Sequence, residues 1–152
     1  MRSFFISFIF LYIACSGSEK VVEVSNDAVV AEVNGSNITV DKLHDEIQLL
    51  MKQFRVANKN ALTEEEKLIL KTKGLNRIIR NNLLVMEASS SGISLTRDEY
   101  EVAFGEAKSG YEGDSFREFL KDEGIPSKLW KNRLKNNLLI KKFINTKFKI
   151  KL

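Results

Sequence analysis

Three apolar stretches between residues 63 and 124 are each opened by a hydroxyl residue with a glutamate three positions on: Thr63 with Glu66, Thr96 with Glu99 and Ser115 with Glu118. The first N–H groups of a helix have no partner inside it. A hydroxyl at the cap and a carboxylate at the third helical position satisfy two of them reciprocally, so each pair predicts a helix start. The stretches that follow agree. After Thr63, Leu68, Leu75, Ile78, Ile79, Leu83 and Met86 recur at helical spacing, predicting a long helix to about Ser90. After Thr96, Tyr100, Ala103, Phe104 and Ala107 predict a helix to about Ser109. After Ser115, Phe116, Phe119 and Leu120 predict a short one ended by Gly124.

Two more helices follow from periodicity. Leu43, Ile47, Leu50, Met51 and Phe54 predict one from about Val40 to Val56, with Thr39 as its cap. Pro126 and Ser127 open the last, to about Asn145; its apolar residues surround most of the axis, which suits a helix packed by several neighbours. Gly74 weakens the long helix by about 1 kcal/mol relative to Ala, so it marks a bend or a close helix contact, and Gly92 is the expected stop.

The β content is small. Val29, Val30, Ala31 and Val33 lead to Asn34-Gly35, and Ser36 to Thr39 return. Asn-Gly suits a type I′ turn, where both central residues need positive φ, so this is a hairpin. Phe148 to Leu152 alternates strictly and predicts a strand pairing near Val29. The expected fold class is mainly α, with about five helices and a small hairpin or three-stranded sheet joining the N- and C-terminal ends. One Pro and eight Gly in 152 residues argue against an all-β fold.

The N-terminus reads as an address. Phe4 to Ala14 is mostly apolar but too short for a membrane-spanning helix, which needs about 20 residues; it matches the core of a signal peptide. Leu11-Tyr12-Ile13-Ala14-Cys15 resembles a bacterial lipobox, with Tyr12 where Leu is usual. Cys15, the only cysteine, is therefore the expected lipidation site; the alternative is ordinary cleavage nearby, leaving a free thiol. The lone cysteine excludes a disulfide framework within the chain. The expected organisation is a lipoprotein signal peptide over 1–14, a flexible tether over 15–27 and a domain over 28–152. The protein is thus expected to be exported and lipid-anchored, facing the periplasm or the outer face of a single membrane.

The net charge of +4 hides an asymmetry: residues 127–152 hold nine Lys or Arg and no acid, while residues 15–126 hold 14 basic and 20 acidic residues, a balance of −6. The basic end reads as a solvated helix face, with cations favoured near a helix C-terminus, or as a contact for anionic lipid or an acidic client. Export makes nucleic acid an unsuitable partner.

Chemistry-bearing constellations are sparse. His44, the only histidine, sits beside Asp41, Asp45 and Glu46, and reads as a surface histidine among solvated acids rather than a metal ligand. Cys15 lies on the tether, and Ser89, Ser90 and Ser91 end a helix, so neither reads as a nucleophile beside a base. No catalytic residue, metal or cofactor is expected.

The ordered set of elements resembles the N-terminal domain of the SurA and PrsA chaperones and peptidyl-prolyl isomerases. The residues that carry the resemblance are Val30 to Thr39; Leu83 to Ala88 with Gly92 to Thr96 and Asp98-Glu99; and Phe119-Leu120-Lys121 through Gly124-Ile125 to Trp130, Arg133-Leu134 and Leu138-Leu139-Ile140. It covers about residues 28–146. In that family a parvulin domain follows; it is not expected here, so the resemblance implies the chaperone role and not the isomerase activity. The implied function is an ATP-independent holdase for unfolded exported polypeptides, such as outer-membrane or secreted proteins. The alternative is a non-catalytic adaptor docking one envelope partner or a separate isomerase. Candidate peptide-binding residues are Tyr111, Phe116, Phe119, Trp130, Met51 and Met86, since aromatic and Met side chains adapt to varied peptides; each can equally be core. Tyr111 and Phe116 flank glycine turns and are expected to be the most exposed.

Overall fold

The computed structural model describes residues 25–148. Strands β1 (Val29–Val33) and β2 (Ser36–Thr39) are followed by α1 (Val40–Gln53), a 3-10 turn (Lys59–Ala61), α2 (Glu64–Ser90), α3 (Arg97–Lys108), α4 (Ser115–Asp122) and α5 (Ser127–Phe148). Among the described residues the fold is mainly α, five helices with a small antiparallel sheet.

The hairpin forms as its turn demands. Asn34 and Gly35 take φ of 48° and 78°, and Val33 pairs with Ser36, with a bulge between Val29 and Ala31. Ile38 of β2 is completely buried. The tether was expected to extend to residue 27, but residues 25–27 belong to the folded body. Ser25 accepts from the Ala28 amide, and Asn26 and Ala28 accept from the Asp41 and Val40 amides that open α1. The described residues form two strands. Phe148, the first residue of the expected third strand, ends α5 instead; residues 149–152 lie outside the described part.

Capping fixes the helix boundaries. Thr63 and Glu66 form a complete capping box, as do Thr96 and Glu99. The third box does not form. α4 begins at Ser115, one residue earlier than the box requires, which places Glu118 beyond the third helical position. Asp114 stands at the cap without a side-chain hydrogen bond to the helix backbone, its carboxylate accepting from the Arg117 side chain at 2.9 Å.

The C-termini of α1, α2 and α4 share one closure. In α2 the Gly92 amide reaches the Ser89 carbonyl and the Ile93 amide reaches Ala88, a Schellman pattern. Gly124 and Ile125 repeat it on Lys121 and Leu120. In α1 the left-handed position is held by Arg55, at φ 56°, with Val56 bonded to Met51. That closure ends α1 at Gln53, short of the expected Val56.

The core is divided along α2. Near its start, Leu70 meets Ile47, Leu50 and Met51 of α1, with Leu43, Val56 and Leu62 around them. Gly74 permits this approach: a Cβ there would lie 3.4 Å from both Ile47 and Leu43, so the close helix contact, and not a bend, is what the glycine serves. Near the end of α2, Ala88 meets Leu139 and Phe143 of α5, flanked by Leu84, Val85, Ile93 and Ile144.

Between the two clusters lies a buried charge. Glu46 of α1 is 4% exposed and its two carboxylate oxygens accept separately from Arg77 of α2 and Arg133 of α5. It was expected to be a solvated acid beside His44. The helix turns it inward while His44 stays exposed, bonded to Gln48 at 2.9 Å. One carboxylate thus ties three helices together, with an uncompensated charge as the penalty for parting them.

Candidate peptide-binding surface

Four of the six candidate residues converge at the junction of α3, α4 and α5. Tyr100 and Phe104 lie one turn apart on α3, their rings 5.9 Å apart and nearly parallel. Phe116 enters from α4 and meets Phe104 edge-on at 6.5 Å. Trp130, in the first turn of α5, packs 4.8 Å from Phe116 and 5.8 Å from Phe104. Tyr111 follows α3 with its amide on the Lys108 carbonyl, and its ring touches Phe116 at 5.2 Å and Phe119 at 5.3 Å. These separations suit edge-to-face and offset contacts, which add about 0.5–1.5 kcal/mol per pair beyond area burial.

Exposure within the cluster is graded. Phe116 is its hub, 8% exposed, a correction to the expectation that it would be among the most accessible: α4 turns it inward beside Leu120. Tyr111, Trp130 and Phe104 are half-buried, and Phe119 is 39% exposed. The outer face therefore presents parts of several rings over a rigid aromatic floor. Two lysines border it, Lys108 and Lys131, with ammonium groups 5.3 and 5.5 Å from the Phe104 ring centre. Such cation–π contacts contribute about 0.5–1 kcal/mol at exposed sites and leave the cations available to an acidic partner.

Met51 and Met86 do not join this surface. Met51 is 6% exposed in the α1–α2 core. Met86 is half-buried on α2, in a cleft it shares with Asn34 of the hairpin turn. Phe54, 49% exposed, has Lys73 5.2 Å over its ring and lies apart on the α1–α2 side. Sequence reasoning missed Lys108 and Lys131 as partners of Phe104; for Lys108 the signal was its position one turn after Phe104 on the same helix.

Ion pairs hold the junction to the body. Glu99 closes its capping box and also accepts from Lys142 of α5 at 2.7 Å. The Lys142 hydrogen bond, with those from Thr96, lowers the Glu99 carboxyl to about 2. Lys52 at the end of α1 pairs with Glu123 at the end of α4 at 2.7 Å.

Among the described residues no group of His, Cys, Asp or Glu is placed to hold a metal ion, and no helix is long and apolar enough to cross a membrane. No curated protein and no solved structure matches the chain. The family described as the SurA-like N-terminal domain matches residues 1–144, and no parvulin domain is indicated. With the hairpin, the two long helices and the short pair between them in that order, the chain belongs to the SurA-like N-terminal domain family.

Proposed function

We propose that this protein is a membrane-tethered, ATP-independent holdase that binds unfolded exported polypeptides. The observation that carries the reading is the graded aromatic surface at the α3–α4–α5 junction, where Tyr111, Phe119 and Trp130 surround a buried Phe116. Packed aromatic rings present large apolar area at little entropic cost, since few torsions remain to be ordered on binding. Flanking lysines suit acidic residues in a client. The family's association with unfolded polypeptides and its extracytoplasmic setting support the same reading.

In this account residues 1–14 are a signal peptide, Cys15 carries the lipid, and the chain up to about Ser25 is the tether. Each buried lipid CH₂ would add about 0.8 kcal/mol of membrane affinity. Replacing Cys15 with Ala should move the protein out of the membrane fraction; unchanged fractionation overturns the anchor.

The test of the chaperone activity uses protein from Ser16 onward. Light scattering is followed as chemically unfolded outer-membrane or secreted proteins are diluted from denaturant. Suppression at near-stoichiometric amounts for several unrelated clients is expected. No suppression for any client overturns the general holdase and leaves an adaptor that docks one envelope partner.

A further inference from the structure

We infer that the polar cleft between α1, α2 and α5 binds the main chain of an extended, acidic polypeptide segment through four asparagine amides. This deepens the chaperone reading and rests on it: the aromatic junction takes apolar side chains, and the cleft takes backbone.

The seam between α2 and α5 changes character along its length. At one end Leu84, Val85 and Ala88 meet Leu139, Phe143 and Ile144 in a dry cluster. At the other, Arg77 and Arg133 close on Glu46. Between them Asn81 and Asn82 of α2 and Asn136 and Asn137 of α5 line a cleft of about 570 Å³. An Asn pair on each of two facing helices is a poor choice for helix stability, since Asn ranks low in helix propensity. It is also a poor choice for a closed seam, since a buried amide without partners is costly. None of the four amides makes a side-chain hydrogen bond to another described residue, whereas Arg77, Arg133 and Glu46 beside them are engaged.

A carboxamide offers one acceptor oxygen and two N–H donors, the complement of a peptide group whatever its side chain. From Leu129 to Asn137 the α5 wall runs about 12 Å at 1.5 Å per residue, enough for three to four residues of extended chain. The charge sets the segment's character. Lys42, Arg77, Arg80 and Arg133 face Asp45 and Glu46, and Arg80 has no ion-pair partner among the described residues, so the excess is positive.

The test is an NMR titration of the full chain with a short unstructured peptide of Gly, Ser and Asp, which brings no apolar side chain to the aromatic junction. The side-chain amide signals of Asn81, Asn82, Asn136 and Asn137 should shift together. Asn136→Ala with Asn137→Ala, exposed positions where Ala favours the helix, should weaken binding about tenfold, as should N-methylation of the peptide backbone, given what two net hydrogen bonds contribute. Unmoved amide signals, or affinity indifferent to both changes, overturn the inference. So does an equal response to free acetate, which would make the cleft a simple anion site. Failure here leaves the scattering assay to decide the chaperone reading separately, because that assay draws on the aromatic junction.

Discussion

Glu46 and Arg133, 87 positions apart in the chain, form a buried ion pair, and the second oxygen of the same carboxylate is held by Arg77. Helices α1, α2 and α5 thus share one charge at the point where neither apolar cluster reaches. Removing the carboxylate leaves two guanidinium groups facing each other. Both keep about a quarter of their side-chain surface in solvent, 26% and 29%, which tempers the loss. Glu46→Ala should cost about 3 kcal/mol, a fall in melting temperature of about 6–12 °C for a chain of this size. A change within about 1 °C by thermal denaturation would show that the triad contributes little.

Arg55 holds a left-handed conformation at the end of α1, a position that side chains other than glycine's occupy under strain. Its backbone closes the Schellman bond from Val56 to Met51. Arg55→Gly should relieve that strain and stabilise the protein by up to about 1 kcal/mol, less the entropy glycine returns to the unfolded chain. A shift of the urea midpoint to higher denaturant at unchanged slope is the expected reading.

Glu99 serves the capping box of α3 and the Lys142 pair at once, and its carboxyl lies at about 2, below the ordinary 4.5. A depressed carboxylate contributes stability that is fully present above its unfolded value and is lost as pH falls toward the folded one. The docking of α3 on α5 should therefore weaken between about pH 4.5 and pH 2 and be indifferent to pH above 5. Following the Glu99 carboxyl by NMR should give a midpoint well below that of an exposed glutamate. In Lys142→Met the midpoint should rise.

Phe116 and Phe119 sit one turn apart on α4 and face different surroundings. Phe116→Ala should cost about 3 kcal/mol, because it empties the hub that Phe104, Tyr111 and Trp130 pack against. Phe119→Ala should cost below about 1 kcal/mol, since its ring is partly in solvent. If the aromatic junction receives clients, Phe119→Ala will impair suppression of aggregation in a protein that still melts normally. Equal loss of stability from the two changes would show that the surface is core alone.

The elements themselves were legible in the amino-acid order. Helix starts are written locally, in a hydroxyl and a carboxylate three residues apart, so α2 and α3 begin where Thr63 and Thr96 require. Asn34-Gly35 dictates its turn because positive φ is a property of those two residues. α4 starts one position earlier than the Ser115–Glu118 spacing indicates, with Asp114 at the cap and its carboxylate paired to Arg117 rather than to a backbone N–H. Tertiary structure alone decided what the helices do with their faces. Apolar periodicity says that Met51 and Phe119 face something. It cannot say that one meets Leu70 inside the core while the other edges into solvent, because that depends on where a second helix lies. Glu46 makes the point most sharply: among Asp41, His44 and Asp45 it reads as one more solvated acid, and only the arrival of Arg77 and Arg133 from two other helices makes its burial affordable.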